Sequence, residues 1–186
     1  MPEERYAFVN HRIYDYATRY SNIELVILSV LSISLPILIG HPQIVIGSIV
    51  NMLLFRAALS MEIRRALPII LLPSIGAYLG NVLFGEATPF LLYFIPVIWV
   101  SNALYVLIGK LVVHRLKKDY GASVLLASAL KSIFLFSAAY VAVVFFGFPA
   151  LFLTAMGVFQ FITAMIGGYT AYLGTKLENR LLASGR

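Results

Sequence analysis

Lys131 is the only charged residue between Ala122 and Phe146. Helix rise places it on the order of 15 Å from the inner end of that apolar run. A charge so deep in a membrane helix costs at least ~2.5 kcal/mol and faces a water-filled chamber or a partner. Two readings stay open. The ammonium lines an inward-facing ligand chamber, or it snorkels to the cytoplasmic interface and holds neighbouring helices through their carbonyls. Four side-chain amides, Asn51, Asn81, Asn102 and Gln160, fall in four other apolar runs. An amide in lipid needs a partner, so all four are expected to point into a bundle. Facing one another and Lys131, they would line a polar substrate chamber; the alternative is pairwise bonding between helices.

Other residues offer weaker chemistry. His41 occupies a short turn beside Pro42, where it is either solvated or a lone ligand for a metal or haem. Trp99 and Tyr93, with Phe90 and Phe94, crowd the outer half of one run. They are expected to stack on a ligand or to form an aromatic belt at the interface. The absences exclude more. No Asp or Glu lies in the middle of any apolar run, which argues against proton or sodium coupling through a buried carboxylate. There is no cysteine, no phosphate-binding GxxxxGK[ST] loop, and no HExxH, GxSxG or intramembrane aspartate pair. The chain is therefore expected to be no enzyme and to carry no cofactor or resident metal.

The elements that position these residues follow from composition. Apolar residues make up 61% of the 186, charged ones 12%, and the mean hydropathy is +0.91. So few charges could not cover a soluble domain of this length, and the pattern predicts an all-α integral membrane bundle. A span takes roughly 20 apolar residues. Six fit, at about 23–39, 43–60, 66–84, 88–112, 122–146 and 149–175. Residues 1–22 read as an amphipathic N-terminal helix in the cytoplasmic interface. Arg5, Arg12 and Arg19 recur along it at heptad spacing beside an apolar stripe. Ser21 and Glu24 have capping-box spacing for the next helix. The expected organisation is thus 1–22 interfacial, 23–178 transmembrane and 179–186 a cytoplasmic tail. The N-terminus lacks the order of a cleavable signal, so the first span is expected to direct its own insertion.

Thirteen of the fourteen Lys and Arg residues fall in the N-terminal segment, the connections near 60 and 115, and the tail. The turns near 40–43, 85–88 and 147–149 have none. By the positive-inside rule both termini are cytoplasmic. The net charge of +6 is then a signature of topology and not of nucleic-acid binding. Small residues at four-residue spacing, Gly76 and Gly80 among them, allow backbones to approach closely.

The stretch Leu72-Pro73-Ser74-Ile75-Gly76-Ala77-Tyr78-Leu79-Gly80-Asn81-Val82-Leu83-Phe84-Gly85 resembles the glycine-rich third-helix segment of the substrate-binding S components of energy-coupling factor (ECF) transporters. The size, span count and sidedness are similar too. The resemblance implies a prokaryotic plasma-membrane subunit that captures a vitamin, metal or tetrapyrrole-like nutrient from outside. A transmembrane coupling subunit and two cytoplasmic ATPases would then topple it to release the ligand. Where such proteins often carry an Ala-x3-Ala pair in the first helix for docking, this chain has Ser29, Ser32 and Ser34. The Gly76–Gly80 ridge is therefore expected to take over the partner contact. The first outer loop, often a lid in that family, is here only Gly40–Gln43. Two other classes remain open: a self-associating channel or passive facilitator, and a membrane assembly protein with no ligand.

Overall fold

The computed structural model describes residues 21–39, 41–115 and 120–184, and every described element is helical. In the order of the chain these are α1 (Ser21–Leu38), α2 (Gln43–Ser60), α3 (Ile63–Gly80), a 3-10 turn (Gly85–Ala87), and α4 (Thr88–Lys110). A π-helical turn (Leu111–Arg115) prolongs α4; α5 (Tyr120–Phe146), α6 (Leu151–Met156) and α7 (Val158–Ser184) follow. Nearly all of the expected interfacial segment, with Arg5, Arg12 and Arg19, lies outside the described residues, as do Lys117 and Lys118.

Apolar runs become helices because lipid offers no partner for a free backbone N–H or C=O. Five helical segments are long and apolar enough to cross a membrane: Gln43–Ser60, Ile63–Gly80, Gly85–Val113, Tyr120–Phe146 and Leu151–Glu178. The apolar part of α1, Asn22–Leu38, is shorter. The breaks are built from the residues that end helices. Pro42 precedes α2 in an extended conformation. Gly147 has a φ of 68° just after α5, a conformation that glycine adopts without steric cost. Pro36, Pro68, Pro73 and Pro96 stay inside their helices.

Three boundaries differ from expectation. The third apolar run stops at Gly80, because Asn81 adopts the left-handed conformation (φ 52°, ψ 14°) that closes a helix C-terminus. The last run is broken at Gly157 into α6 and α7, and α7 then continues as helix to Ser184, through most of the expected tail. Arg56, assigned to a connection, sits within α2 one turn before its end.

Close backbone approach sets the packing. α2 lies along α7, and α1 along α3. At Gly167 of α7 an added Cβ would stand 2.5 Å from the Met52 nitrogen and 2.6 Å from the Ser48 carbonyl oxygen of α2. The Gly76–Gly80 ridge is filled in the same way. A Cβ at Gly76 would collide with the Ile33 carbonyl oxygen, and one at Gly80 would lie 2.7 Å from that of Pro36. The ridge expected to meet a partner protein is therefore occupied by α1 of the same chain. On α1 the atoms nearest the ridge are backbone atoms of Ile33, Pro36 and Ile37, and Ser32 beside them is fully buried.

Two apolar clusters fill the bundle. One, around Leu54, Phe55, Tyr105, Val124 and Ala164, occupies the half toward the 60–62 connection. The other, around Phe84, Leu91, Phe94, Leu135 and Phe152, occupies the half toward the connections that lack Lys and Arg. The polar residues of interest lie in the layer between them.

Candidate functional site

Lys131 sits eleven residues into α5, between Ala127 of one apolar cluster and Leu135 of the other, and is 2% exposed. Its Nζ donates to Asn51 Oδ1 at 2.6 Å and to Asn102 Oδ1 at 2.8 Å. Asn51 comes from the middle of α2 and Asn102 from the inner half of α4, so three helices converge on one ammonium. Both amides are oriented by their other ends. Asn51 Nδ2 donates to the Gly47 carbonyl at 2.9 Å and to Thr163 Oγ1 of α7 at 3.1 Å. Asn102 Nδ2 donates to the Ile70 carbonyl of α3 at 3.0 Å. With their NH2 groups tied back, both asparagines must present oxygen to Lys131.

The Tyr105 ring lies 5.2 Å from Nζ, within cation–π range, and its hydroxyl is anchored by donating to the Ala164 carbonyl at 2.6 Å. Among the described residues the ion pairs join Arg56 to Glu24 and Glu178, and none involves Lys131. The ammonium is thus held by dipoles and a ring face, with no carboxylate to neutralise it.

A cavity of about 90 Å³ adjoins Lys131. Asn51, Asn102, Thr163 and Gln160 line it near the lysine, and Pro36, Ile46, Leu91 and Phe159 form apolar walls. Gln43, Leu83 and Phe84 line its far end. Gln43 begins α2, eight residues from Asn51, so the cavity climbs about 12 Å along that helix toward the connections without Lys or Arg. It does not pass the other way. Leu54, Phe55, Tyr105 and Val124 leave no exposed surface beneath the lysine.

Of the residues singled out in the sequence, Lys131, Asn51, Asn102 and Gln160 come together here. Asn81, Tyr93 and His41 do not. Asn81 is exposed at the end of α3, Tyr93 is 74% exposed on the outer face of α4, and His41 is exposed in its turn. Asn81 does not point into the bundle as expected, because it ends α3 in the left-handed conformation and its amide has left the interior. No group of three or more metal-ligating side chains occurs among the described residues. Trp99 stands behind the wall. Its Nε1 donates to Ser74 Oγ at 2.9 Å and to the Leu71 carbonyl at 3.0 Å, and Ser74 lines the cavity. Thr163 had no signal in the sequence, since a threonine can satisfy itself on its own helix; it also donates to the Phe159 carbonyl at 2.7 Å.

A second polar cluster ties the opposite end of the bundle. Arg56 Nε donates to Glu24 at 2.7 Å and its Nη1 to Glu178 at 2.8 Å, joining α1, α2 and α7.

No protein-family model, curated protein or solved structure matches this chain.

Chemically, the site can bind and orient. It brings together a cation, oriented amides and apolar walls, and no Asp or Glu is among the residues that line the cavity.

Proposed function

We propose that this chain is a membrane-embedded substrate-binding subunit of an ATP-driven nutrient uptake transporter, similar to the S components of ECF transporters. The observation that carries the reading is a buried cation, fixed by two oriented asparagines, at the floor of a cavity that opens toward one end of a helical bundle. In this reading α1 adds a sixth crossing. Its apolar stretch is at the short end of the roughly 17–25 residues that span a bilayer. Both termini are cytoplasmic, by the distribution of Lys and Arg, so the cavity faces the outside of a prokaryotic plasma membrane. The chain has no phosphate-binding loop, and accumulation against a gradient needs an energy source. That source is a coupling membrane subunit and cytoplasmic ATPases. Since α1 covers the Gly76–Gly80 ridge, these partners engage other surfaces. A passive facilitator finds less support, because packed apolar side chains fill the bundle beneath Lys131.

Mild solubilisation of native membranes with the tagged chain, followed by mass spectrometry, tests this. The expected result is co-purification with an ATPase pair and a membrane coupling subunit, together with ATP-dependent uptake by the reconstituted assembly. A symmetric homo-oligomer that lets solute run only down its gradient in ATPase-free liposomes would replace this reading with the facilitator.

A further inference from the structure

Resting on that reading of the cavity, we propose that its ligand is a monoanion: a small organic molecule that brings a carboxylate from the aqueous phase to Lys131. The first argument is charge. No Asp or Glu lines the cavity, and among the described residues Glu24 and Glu178 are engaged by Arg56 at the other end of the bundle. A lysine enclosed to 2% exposure without a counter-ion attracts the charge it lacks, and the attraction is strong where little water screens it. The same field rejects metal ions and amines.

Hydrogen-bond capacity is the second argument. An ammonium has three donors. Two are taken by Asn51 and Asn102, whose NH2 groups are committed elsewhere and cannot turn to meet a ligand. Ser74 and Thr163, the hydroxyls on the wall, each donate to a carbonyl of their own helix. What remains for a ligand is the third N–H of Lys131, which calls for an acceptor oxygen, and the amides of Gln160 and, at the far end, Gln43, whose NH2 groups can donate to one as well. A carboxylate offers two.

Valence and size narrow the class. One cation balances one negative charge, so a phosphate dianion would leave a surplus buried charge. A cavity of 150 Å³ holds benzene, so about 90 Å³ encloses a group of roughly four non-hydrogen atoms, such as a carboxylate and the carbon that bears it. Ile46, Leu91 and Phe159 would enclose its apolar part.

The test uses the full chain in nanodiscs, titrated with propionate, propionamide and propylammonium. Binding is followed by calorimetry and by the emission of Trp99, the only tryptophan, which is hydrogen-bonded to the cavity wall through Ser74. Propionate should bind at millimolar concentrations while the amide and the amine do not. Lys131→Met should abolish that binding. Asn102→Asp supplies an internal counter-ion at the cost of the bond to the Ile70 carbonyl, so in the folded variant it should weaken propionate by roughly tenfold or more. Equal binding of propionate and propionamide, preference for the amine, or undiminished propionate binding by a folded Asn102→Asp variant would overturn the anion and leave the uptake reading standing. Carboxylate binding by a chain that never assembles with ATPases would overturn the uptake reading alone.

Discussion

Lys131 and the two asparagines that hold it respond differently to removal. Asn102→Ala takes an acceptor from a buried cation and orphans one N–H, at a cost of about 1–3 kcal/mol. Lys131→Met deletes the charge, keeps the length of the side chain, and leaves only two amide oxygens without a donor. Thermal unfolding in detergent should therefore show a larger loss for Asn102→Ala than for Lys131→Met. The double variant Lys131→Met with Asn102→Leu should regain part of the stability lost by Asn102→Ala. Strictly additive losses would mean that the ammonium and the amides are not energetically linked. In the proposed uptake assembly, transport should fall sharply in Lys131→Met at normal protein level; unchanged uptake would reduce the lysine to a packing element.

At the level of elements, glycine determines which helices touch. Gly167 and Gly76 each face the backbone of a neighbouring helix, which cannot move aside as a side chain tip can. Gly174 has no such neighbour within 4 Å. Gly167→Ala and Gly76→Ala should both lower the melting temperature, by separating α7 from α2 and α3 from α1, whereas Gly174→Ala should be neutral. Gly76→Leu should lose folding and ligand binding together, because its ridge packs inside the chain. A folded, ligand-binding Gly76→Leu variant that fails only in uptake would instead return this ridge to a partner.

For the whole molecule, sidedness is the property on which the proposed uptake turns, since in that reading the cavity must face the nutrient. The absence of cysteine makes single-cysteine labelling clean. Cysteines at His41, Glu86 and Phe148 should react with an impermeant maleimide in intact cells, and those at Ser60, Lys117 and Ser184 should not. Labelling of Lys117→Cys at the rate of His41→Cys would invert the molecule and turn the cavity to the cytoplasm. The Arg56 cluster would then lie outside, tying the ends of α1, α2 and α7 there.

The helical character of the described chain, most of its breaks, and the need of Lys131, Asn51 and Asn102 for partners inside a bundle were legible in the sequence alone. Each rests on a local quantity, the length of an apolar run or a polar group that lipid cannot satisfy, and such penalties act whatever the neighbours are. What depends on the neighbours was not legible. Asn81 and Asn102 look alike in an apolar run, but the first ends α3 in a left-handed conformation and the second bonds the Ile70 carbonyl. Spacing marked Gly76 and Gly80 as a site of close approach without naming the helix that approaches, which is α1. Arg56 read as a loop cation because Glu24 and Glu178, distant along the chain, meet it only after α1, α2 and α7 have packed. The sequence by itself determined which groups needed partners; tertiary structure decided which partners they found, because that choice is a matter of distance between helices and not of composition within one.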